Sequence, residues 1–261
     1  ERDPRALASL LQTVESDVIP RLLMLHRAPA IDLADNRSRR IPITAREIEA
    51  FCNAVLASSE EAARYVADLI AAGLSRERLF LELMGPVARR LGDLWSADLI
   101  GFTDVTLGLW RLQRLLSQEA GMMRPGRVAT HAARNGLMVA MPGEQHTFGL
   151  SMVIEFFRQA GWQIRDEHPS DADGIVDVVK RHRLHLLGIS IGGERHLQAL
   201  RTLVERCRQA ARHAGMLILI GGPLAAELPD LAKTVGADAA VNDVGHAILL
   251  AEQSASREAD R

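Results

Sequence analysis

The sequence predicts a bundle of four helices followed by an α/β domain with a five-stranded parallel sheet. Apolar residues recur at helical spacing through residues 44–123, whereas residues 136–253 alternate short apolar runs with helix-like segments. The first pattern is typical of a packed bundle, and the second of a parallel sheet covered by helices on both faces. A chain of 261 residues, 48% of them hydrophobic, can bury both cores.

Residues 1–43 are expected to form a helical arm and a loop. Apolar residues recur at helical spacing up to Pro20, which kinks or restarts the helix before His26. From Ala28 to Arg40 this spacing is lost and charged residues collect, which is typical of a solvated loop.

The bundle is predicted to begin at Thr44. Thr44 and Glu47 form a capping box, Ser58 and Glu61 repeat the pattern, and Gly73 stands where the second helix would end. Two further apolar stripes predict the third and fourth helices, and they consist of Phe80, Leu83, Met84, Val87, Leu91, Leu94 and Trp95 and of Val105, Leu109, Leu112 and Leu116.

The second domain follows a linker, residues 124–135, which contains Pro125, Gly126 and several polar residues and has no periodicity. Strands are predicted at apolar runs that each precede a helix-like segment, namely Leu137–Met141, Trp162–Ile164, Leu186–Ile191, Leu217–Ile220 and Ala239–Val241. This alternation favours a flavodoxin-like, Rossmann-type winding over residues 136–253, with residues 254–261 as a tail.

Composition disfavours several classes of function. The net charge of −2 is spread over mixed segments, which argues against sequence-specific DNA binding and against a membrane surface. No apolar run approaches the length of a membrane span, and residues 1–4 show no signal pattern. Cys52 and Cys207 lie far apart on predicted helices, which suggests neither a disulfide nor a zinc site. We expect a cytoplasmic protein.

The loop after the first strand is the strongest candidate site. Between Met141 and Gly149 it reads M-P-G-E-Q-H-T-F-G, so that Glu144, His146 and the glycine are spaced as E-x-H-x-x-G. A histidine before a helix can offer one ring nitrogen to a metal while a neighbouring carboxylate accepts the proton of the other. The glycine lets a flat ligand approach the backbone. An ordinary loop histidine and a helix-entry glycine are the simpler alternative.

Two more candidates end the third and fourth strands, at the edge where open α/β sheets bind ligands. Ser190 could hydrogen-bond a buried heterocycle. Gly221 and Gly222 would leave a slot for a long ligand tail. Plain turn chemistry is the alternative for both positions.

Together these residues resemble, in order and in strand position, the cobalamin-binding domain family. In that family the histidine binds the cobalt from below and displaces the nucleotide base, which inserts beside the serine and the glycine pair. The resemblance implies bound cobalamin, in its adenosyl, methyl or hydroxo form, with His146 as the lower axial ligand. The family more often has Asp where this chain has Glu144. The implied contacts are Glu144, Gln145, His146, Gly149, Ser190, Gly221 and Gly222 and, from the bundle, Trp95 and Val105.

The bundle resembles a narrower group. From Leu91 to Gln113 the chain reads L-G-x-x-W-x-x-D-x-x-x-F-x-x-V-T-x-G-x-x-R-L-Q, and V-I-P-R-L and H-R precede it at residues 18–22 and 26–27. This pattern is similar to the AerR/PpaA antirepressors of photosynthesis genes in purple bacteria and to the related haem-sensor domain of AppA. Members bind a PpsR/CrtJ-type repressor and carry no DNA-reading element. The resemblance implies a non-enzymatic, light-responsive regulator.

Residues above the corrin follow from the same resemblance. Trp95 would lie over its upper face, although an apolar stripe also fits a core aromatic, and Trp110 is expected to be core. Light-sensing cobalamin repressors carry Glu-His where this chain has Asp104 and Val105, so this helix is not expected to ligate cobalt. His26 either reaches the metal from above or caps the preceding turn.

Two alternatives stay open. A corrinoid shuttle protein of a methyltransferase would use the same lower histidine, but we expect it to carry the usual Asp and to lack the arm from Pro20 to Arg27. A haem-binding redox sensor would have the same regulatory output. The absorption spectrum of the purified protein separates corrin from haem.

Overall fold

The computed structural model describes residues 41–123, 134–144 and 147–259. Most of the expected arm and linker, and with them His26, lie outside the described residues. Gln145 and His146 also lie outside them, so the structure leaves the proposed metal ligand as a prediction from the sequence.

The bundle consists, within the described residues, of four helical stretches. No helix in these ranges is long and apolar enough to cross a lipid bilayer. The first two stretches are α1 and α2, the third is continuous through α3, a π-helical segment and α4, and the fourth is α5. The bounds are α1 Ala45–Ala57, α2 Ser59–Ala71, α3 Arg76–Arg78, the π-helical segment Leu79–Met84, α4 Gly85–Ser96 and α5 Phe102–Gly121.

The predicted helix ends are confirmed. The backbone N–H of Thr44 donates to Glu47 Oε2 at 3.0 Å, and the Thr44 hydroxyl caps α1. The Thr44 hydroxyl also donates to Glu47 Oε2, and this hydrogen bond, followed by that of the Thr44 N–H, holds the pKa of Glu47 below its ordinary value. The Ser58 hydroxyl accepts from the N–H of Glu61 at 3.1 Å. Gly73, with φ of +102°, follows α2 in the left-handed conformation that glycine adopts without strain.

The second half is a five-stranded parallel sheet in the order β2-β1-β3-β4-β5, as the predicted winding requires. Each strand lies within two residues of its predicted bounds. The strands are β1 Asn135–Ala140, β2 Gln163–Ile164, β3 Leu186–Ser190, β4 Leu217–Gly221 and β5 Ala239–Ala240. The helices are α6 Phe148–Gln159, α7 Ala172–Arg181, α8 Leu197–Ala210, α9 Pro223–Glu227, α10 Leu231–Val235 and α11 Val244–Ala259, and a 3-10 turn spans Glu194–His196.

Helix α6 joins the two halves because it is apolar on two faces. Phe148, Met152 and Phe156, spaced at i, i+4 and i+8, pack against the bundle core. The opposite face packs on the sheet with helix α11, and its side chains are Leu150, Val153, Ile154 and Phe157. The other face of the sheet forms a separate core with α7, α8, α9 and α10.

The motif from Leu91 to Gln113 is partly a packing motif. A Cβ on Gly108 would lie 3.0 Å from Leu91 Cδ1, so this glycine lets α4 and α5 approach closely. Arg111 Nη1 donates to the carbonyl oxygens of Val55 and Leu56 at 2.6 and 2.8 Å, satisfying the last turn of α1. Much of the resemblance in the bundle therefore describes how its helices pack.

The expectation that Trp110 is a core residue is wrong. Its side chain is 54% exposed, and the Arg114 guanidinium lies 5.7 Å from the ring centroid. Trp110 extends the apolar spacing of α5, but it lies away from the buried face that carries Leu112 and Leu116.

Gly108→Val should destabilise the bundle. The added methyl groups would meet Leu91 and Val55 in a packed core, so we expect the free energy of unfolding to fall by about 1 to 3 kcal/mol. Urea denaturation followed by circular dichroism measures it.

Gly92→Ala is the matched control, since it is a helical glycine whose Cβ position has no neighbour within 4 Å. It should stabilise the protein by about 0.5 to 1 kcal/mol through helix propensity. Equal effects of the two substitutions would contradict the close-packing role of Gly108.

Candidate functional site

A row of small residues crosses the carboxyl edge of the sheet on the face covered by α6 and α11. Ala140 pairs in register with Ser190, and Ser190 with Gly221. Two residues earlier on each of these three strands, the same face carries Met138, Gly188 and Leu219. On the two outer strands of the three, Met138 and Leu219 therefore give way to the small Ala140 and Gly221, and Ser190, 8% exposed, lies between them in the row.

The two glycines at the end of β4 have different roles. Gly222 has φ of +94°, and a Cβ there would lie 2.5 Å from the carbonyl oxygen of Ile191. It is therefore required by the turn. Gly221 has no left-handed φ, and the nearest atom to its Cβ position is the carbonyl oxygen of Val241, at an ordinary 3.7 Å. Gly221 leaves space in the row itself, while a Cβ on Gly222 would also lie 2.9 Å from Ser190 Oγ.

The loop after β1 is held to the loop after β3. The N–H of Met141 donates to the carbonyl oxygen of Ser190 at 2.9 Å, which extends the pairing by one residue. Beyond it, Glu144 Oε2 accepts a hydrogen bond from the backbone N–H of Gly192 at 2.8 Å. The Glu144 carboxylate, expected to orient His146, therefore also binds the neighbouring loop.

Open space lies where helix α6 begins. Gly149 is exposed, and a Cβ there would have no neighbour within 4 Å. This agrees with the predicted approach of a ligand to the backbone at this point, three residues after the last residue of the undescribed pair 145–146.

Sequence reasoning missed two residues of this loop pair, Gly192 and His196. A Cβ on Gly143, whose φ is +84°, would lie 3.6 Å from His196 Cε1. The glycine pair after β3 was visible in the sequence, but its partner Glu144 is 48 residues away. Only the fold brings them together.

The turn between α4 and α5 extends past the start of α6. Phe80 packs on Phe156 with 6.0 Å between ring centroids, and a Cβ on Gly85 would lie 3.4 Å from Met152 Cε, so α4 and α6 run antiparallel. Gln159 Nε2 contacts Met123 Sδ at 2.8 Å, so α5 and α6 end together. At about 1.5 Å per residue, the α4–α5 turn therefore reaches beyond α6, on the side of the β1 loop.

This overhanging turn exposes large apolar side chains. Trp95, Leu99 and Phe102 are 48%, 68% and 71% exposed, so Trp95 is not a core aromatic. The turn is locally ordered, since the N–H of Leu99 donates to the carbonyl oxygen of Leu94 at 2.9 Å. Exposed apolar groups on an ordered turn indicate a contact surface.

The other two residues named on α5 lie elsewhere. Val105 is 7% exposed and packs in the bundle core, so it offers little surface to a ligand, and its contact with a corrin stays a prediction. Asp104 Oδ2 accepts from the N–H of Gly101 at 2.9 Å and caps α5. Both side chains therefore have structural partners.

No set of three or more His, Cys, Asp or Glu side chains could hold a metal ion in the described part of the chain. Cys52 and Cys207 are free and buried. Burial raises the pKa of the Cys207 thiol to about 11 and that of Cys52 above its ordinary value, so both stay protonated at neutral pH. Neither thiol is a candidate ligand.

The fold and the edge of the sheet together define an α/β ligand-binding domain covered by a helical bundle. Comparison with known families agrees with this class. Residues 134–251 match the family described as the B12 binding domain. The matched range includes all five strands and α6, and the bundle lies outside it.

Two individual proteins are similar to a larger part of the chain than the residues that match this family. A protein of Rhodobacter capsulatus, described as an uncharacterized 20.5 kDa protein in the bchF-crtJ intergenic region, is 26% identical over 174 residues, which are 67% of this chain and 90% of that protein. The monomethylamine corrinoid protein of Methanosarcina barkeri superposes with a TM-score of 0.63 at 17% identity, over 80% of this chain and 96% of that one. The likeness to the Methanosarcina barkeri protein shows a shared fold.

Gly222→Ala should be far more damaging to stability than Gly221→Ala. The first forces a side chain into a positive φ and against Ile191, and we expect it to cost about 2 to 4 kcal/mol of unfolding free energy. The second meets no close atom and should change stability by less than about 1 kcal/mol. Thermal and urea unfolding of both apo-proteins measure this, and similar losses would refute the distinction.

Proposed function

We propose that the α/β half binds cobalamin, with its nucleotide tail between the sheet and the α6 and α11 helices. The row of Ala140, Ser190 and Gly221 at the carboxyl edge carries this proposal, because Ala140 and Gly221 leave room on the face that Met138 and Leu219 fill two residues earlier. The Ser190 hydroxyl can donate to or accept from the buried heterocycle of the tail.

The loop after β1 would hold the metal from below. His146 lies in the E-x-H-x-x-G spacing of this chain, within the residues that match the B12 binding domain, and Glu144, two residues earlier, can accept a hydrogen bond from its second ring nitrogen. The exposed backbone at Gly149 leaves space for the flat ring. These residues fit a corrin with a lower histidine ligand.

The bundle would cover the opposite side of the ring. The overhanging turn carries Trp95, Leu99 and Phe102, whose exposed side chains would be covered by a large apolar ligand. Bound cobalamin would supply a light-labile bond between cobalt and its upper substituent. Trp95 would contact that substituent. Loss of the substituent in light would therefore change which position of the α4–α5 turn fits best against the bound ligand.

We further propose that the protein is a non-enzymatic antirepressor that acts on a PpsR/CrtJ-type repressor. The motif from Leu91 to Gln113 supports this, and so does the Rhodobacter capsulatus relative, whose description places it beside crtJ, the name of that repressor type. A change in the bundle would alter the affinity of the protein for the repressor, with a coupling free energy between ligand state and repressor binding of about 1 to 3 kcal/mol.

The tail distinguishes cobalamin from the haem alternative, since haem has no nucleotide to fill the row of small residues. A corrinoid shuttle protein would share the row and the loop. The fold likeness to a corrinoid protein does not separate a shuttle from a regulator, and the motif in the bundle is what favours the regulator.

The purified protein should take up hydroxocobalamin and show the absorption of a cobalt with a histidine in place of its own base. His146→Ala should lose this signature and keep the fold. Gly221→Leu, which fills the row without straining the turn, should weaken cobalamin binding and leave haem binding nearly unchanged. Spectral titration of the parent and both variants measures the three effects.

Circular dichroism of the apo-variants is the control, because loss of binding counts only in folded protein. A His146→Ala protein with the parent spectrum and affinity would contradict the metal-ligand assignment. Equal weakening of haem and cobalamin by Gly221→Leu would contradict the place of the tail.

The loaded protein should alter the DNA affinity of a PpsR/CrtJ-type repressor, and do so differently after light and after darkness. We expect a several-fold to hundredfold difference, from the coupling above. Titration of dark and illuminated protein into repressor and labelled promoter measures it.

The same titration without repressor is the control. Tight sequence-specific binding of promoter DNA by this protein alone would refute the antirepressor function, as would a repressor that responds to neither form. A methyl group transferred from the bound cobalamin to an added methyltransferase partner would favour the shuttle.

A further inference from the structure

We propose that Glu144 is a positioning residue that acts through the backbone of Gly192. By binding this N–H, its carboxylate fixes the segment after β1 against the segment after β3. The inference rests on the proposed function, since these two segments flank the proposed sites of the lower ligand and of the tail.

The carboxylate makes a cross-link beyond the end of the sheet. The last backbone rung joins Met141 to Ser190 at 2.9 Å, and a turn then brings the N–H of Glu144 to the carbonyl oxygen of Met141, also at 2.9 Å. From there the half-buried side chain of Glu144 spans to Gly192, with 2.8 Å between Oε2 and N. A hydrogen bond to an ionised acceptor is stronger than one between neutral groups.

Gly192 provides the space that the carboxylate needs. A Cβ at this position would lie 2.3 Å from Glu144 Oε2 and 2.8 Å from its Cδ, so any other residue would push the carboxylate away. The next residue, Gly193, has an extended φ of −162° and no atom within 4 Å of its Cβ position. Of the two neighbouring glycines, only Gly192 is in contact with Glu144.

The length of the Glu144 side chain matters for the same reason. Asp, which the related cobalamin domains more often carry here, is one methylene shorter, or about 1.5 Å. From the same backbone position it would not reach the Gly192 N–H. Glu144 and Gly192 therefore form a pair in this chain, and the reach of the glutamate sets the separation of the two segments.

Amide hydrogen exchange of the apo-protein tests the hydrogen bond directly. The Gly192 amide should be protected in the parent and in Glu144→Gln, which keeps the length and an acceptor oxygen. In Glu144→Asp it should exchange roughly threefold to tenfold faster, as loss of one hydrogen bond predicts. Unchanged Gly192 exchange in Glu144→Asp would overturn the proposal.

Hydroxocobalamin titration tests the positioning role. Glu144→Asp and Gly192→Ala should each weaken binding by about tenfold to hundredfold, as loss of a residue that orients a metal ligand does. Their combination should be no weaker than the worse single variant, since both break one contact. Glu144→Gln should bind more tightly than Glu144→Asp.

Gly193→Ala is the matched control and should bind within about twofold of the parent, because its methyl group meets open space. Equal affinities of Gly192→Ala and Gly193→Ala, or additive losses in the double variant, would overturn the pair. If the parent protein binds no cobalamin, the proposed function fails, and the exchange of the Gly192 amide alone decides the contact.

Discussion

Burial of both faces of α6 is the constraint on which the rest of the structure depends. One face packs on the bundle through Phe148, Met152 and Phe156, and the other on the sheet through side chains such as Phe157. A helix with two apolar faces must be covered on both, so the bundle and the sheet cannot separate without exposing one of them. The start of α6 therefore lies where bundle and sheet meet.

Local sequence signals predicted most of the fold, because caps and strands depend on neighbouring residues. The Thr44–Glu47 capping box and the five apolar runs are examples, and each is found where expected. Periodicity failed for Trp110, since spacing places a residue on a helix face but does not say whether another element covers that face. For the same reason periodicity could not predict the exposure of Trp95, which only the family resemblance suggested.

The candidate site was predictable only in part. The E-x-H-x-x-G spacing, Ser190 and the glycines after β4 are visible in the chain, but their division of labour is not. Gly222 shapes a turn and Gly221 leaves space, a difference that depends on where Ile191 lies. The Glu144–Gly192 hydrogen bond likewise joins residues from two strands whose register only the folded sheet defines.

The π-helical segment Leu79–Met84 fixes the rotation of everything that follows it on α4. Within it the N–H of Gly85 donates to the carbonyl oxygen of Phe80, five residues back, so the segment accommodates one residue more than an α-helical turn. If the same residues wound as a regular α-helix instead, Trp95 would be rotated by about 100° around the helix axis relative to Phe80. The π winding of this one segment thus determines which side of α4 overhangs the β1 loop.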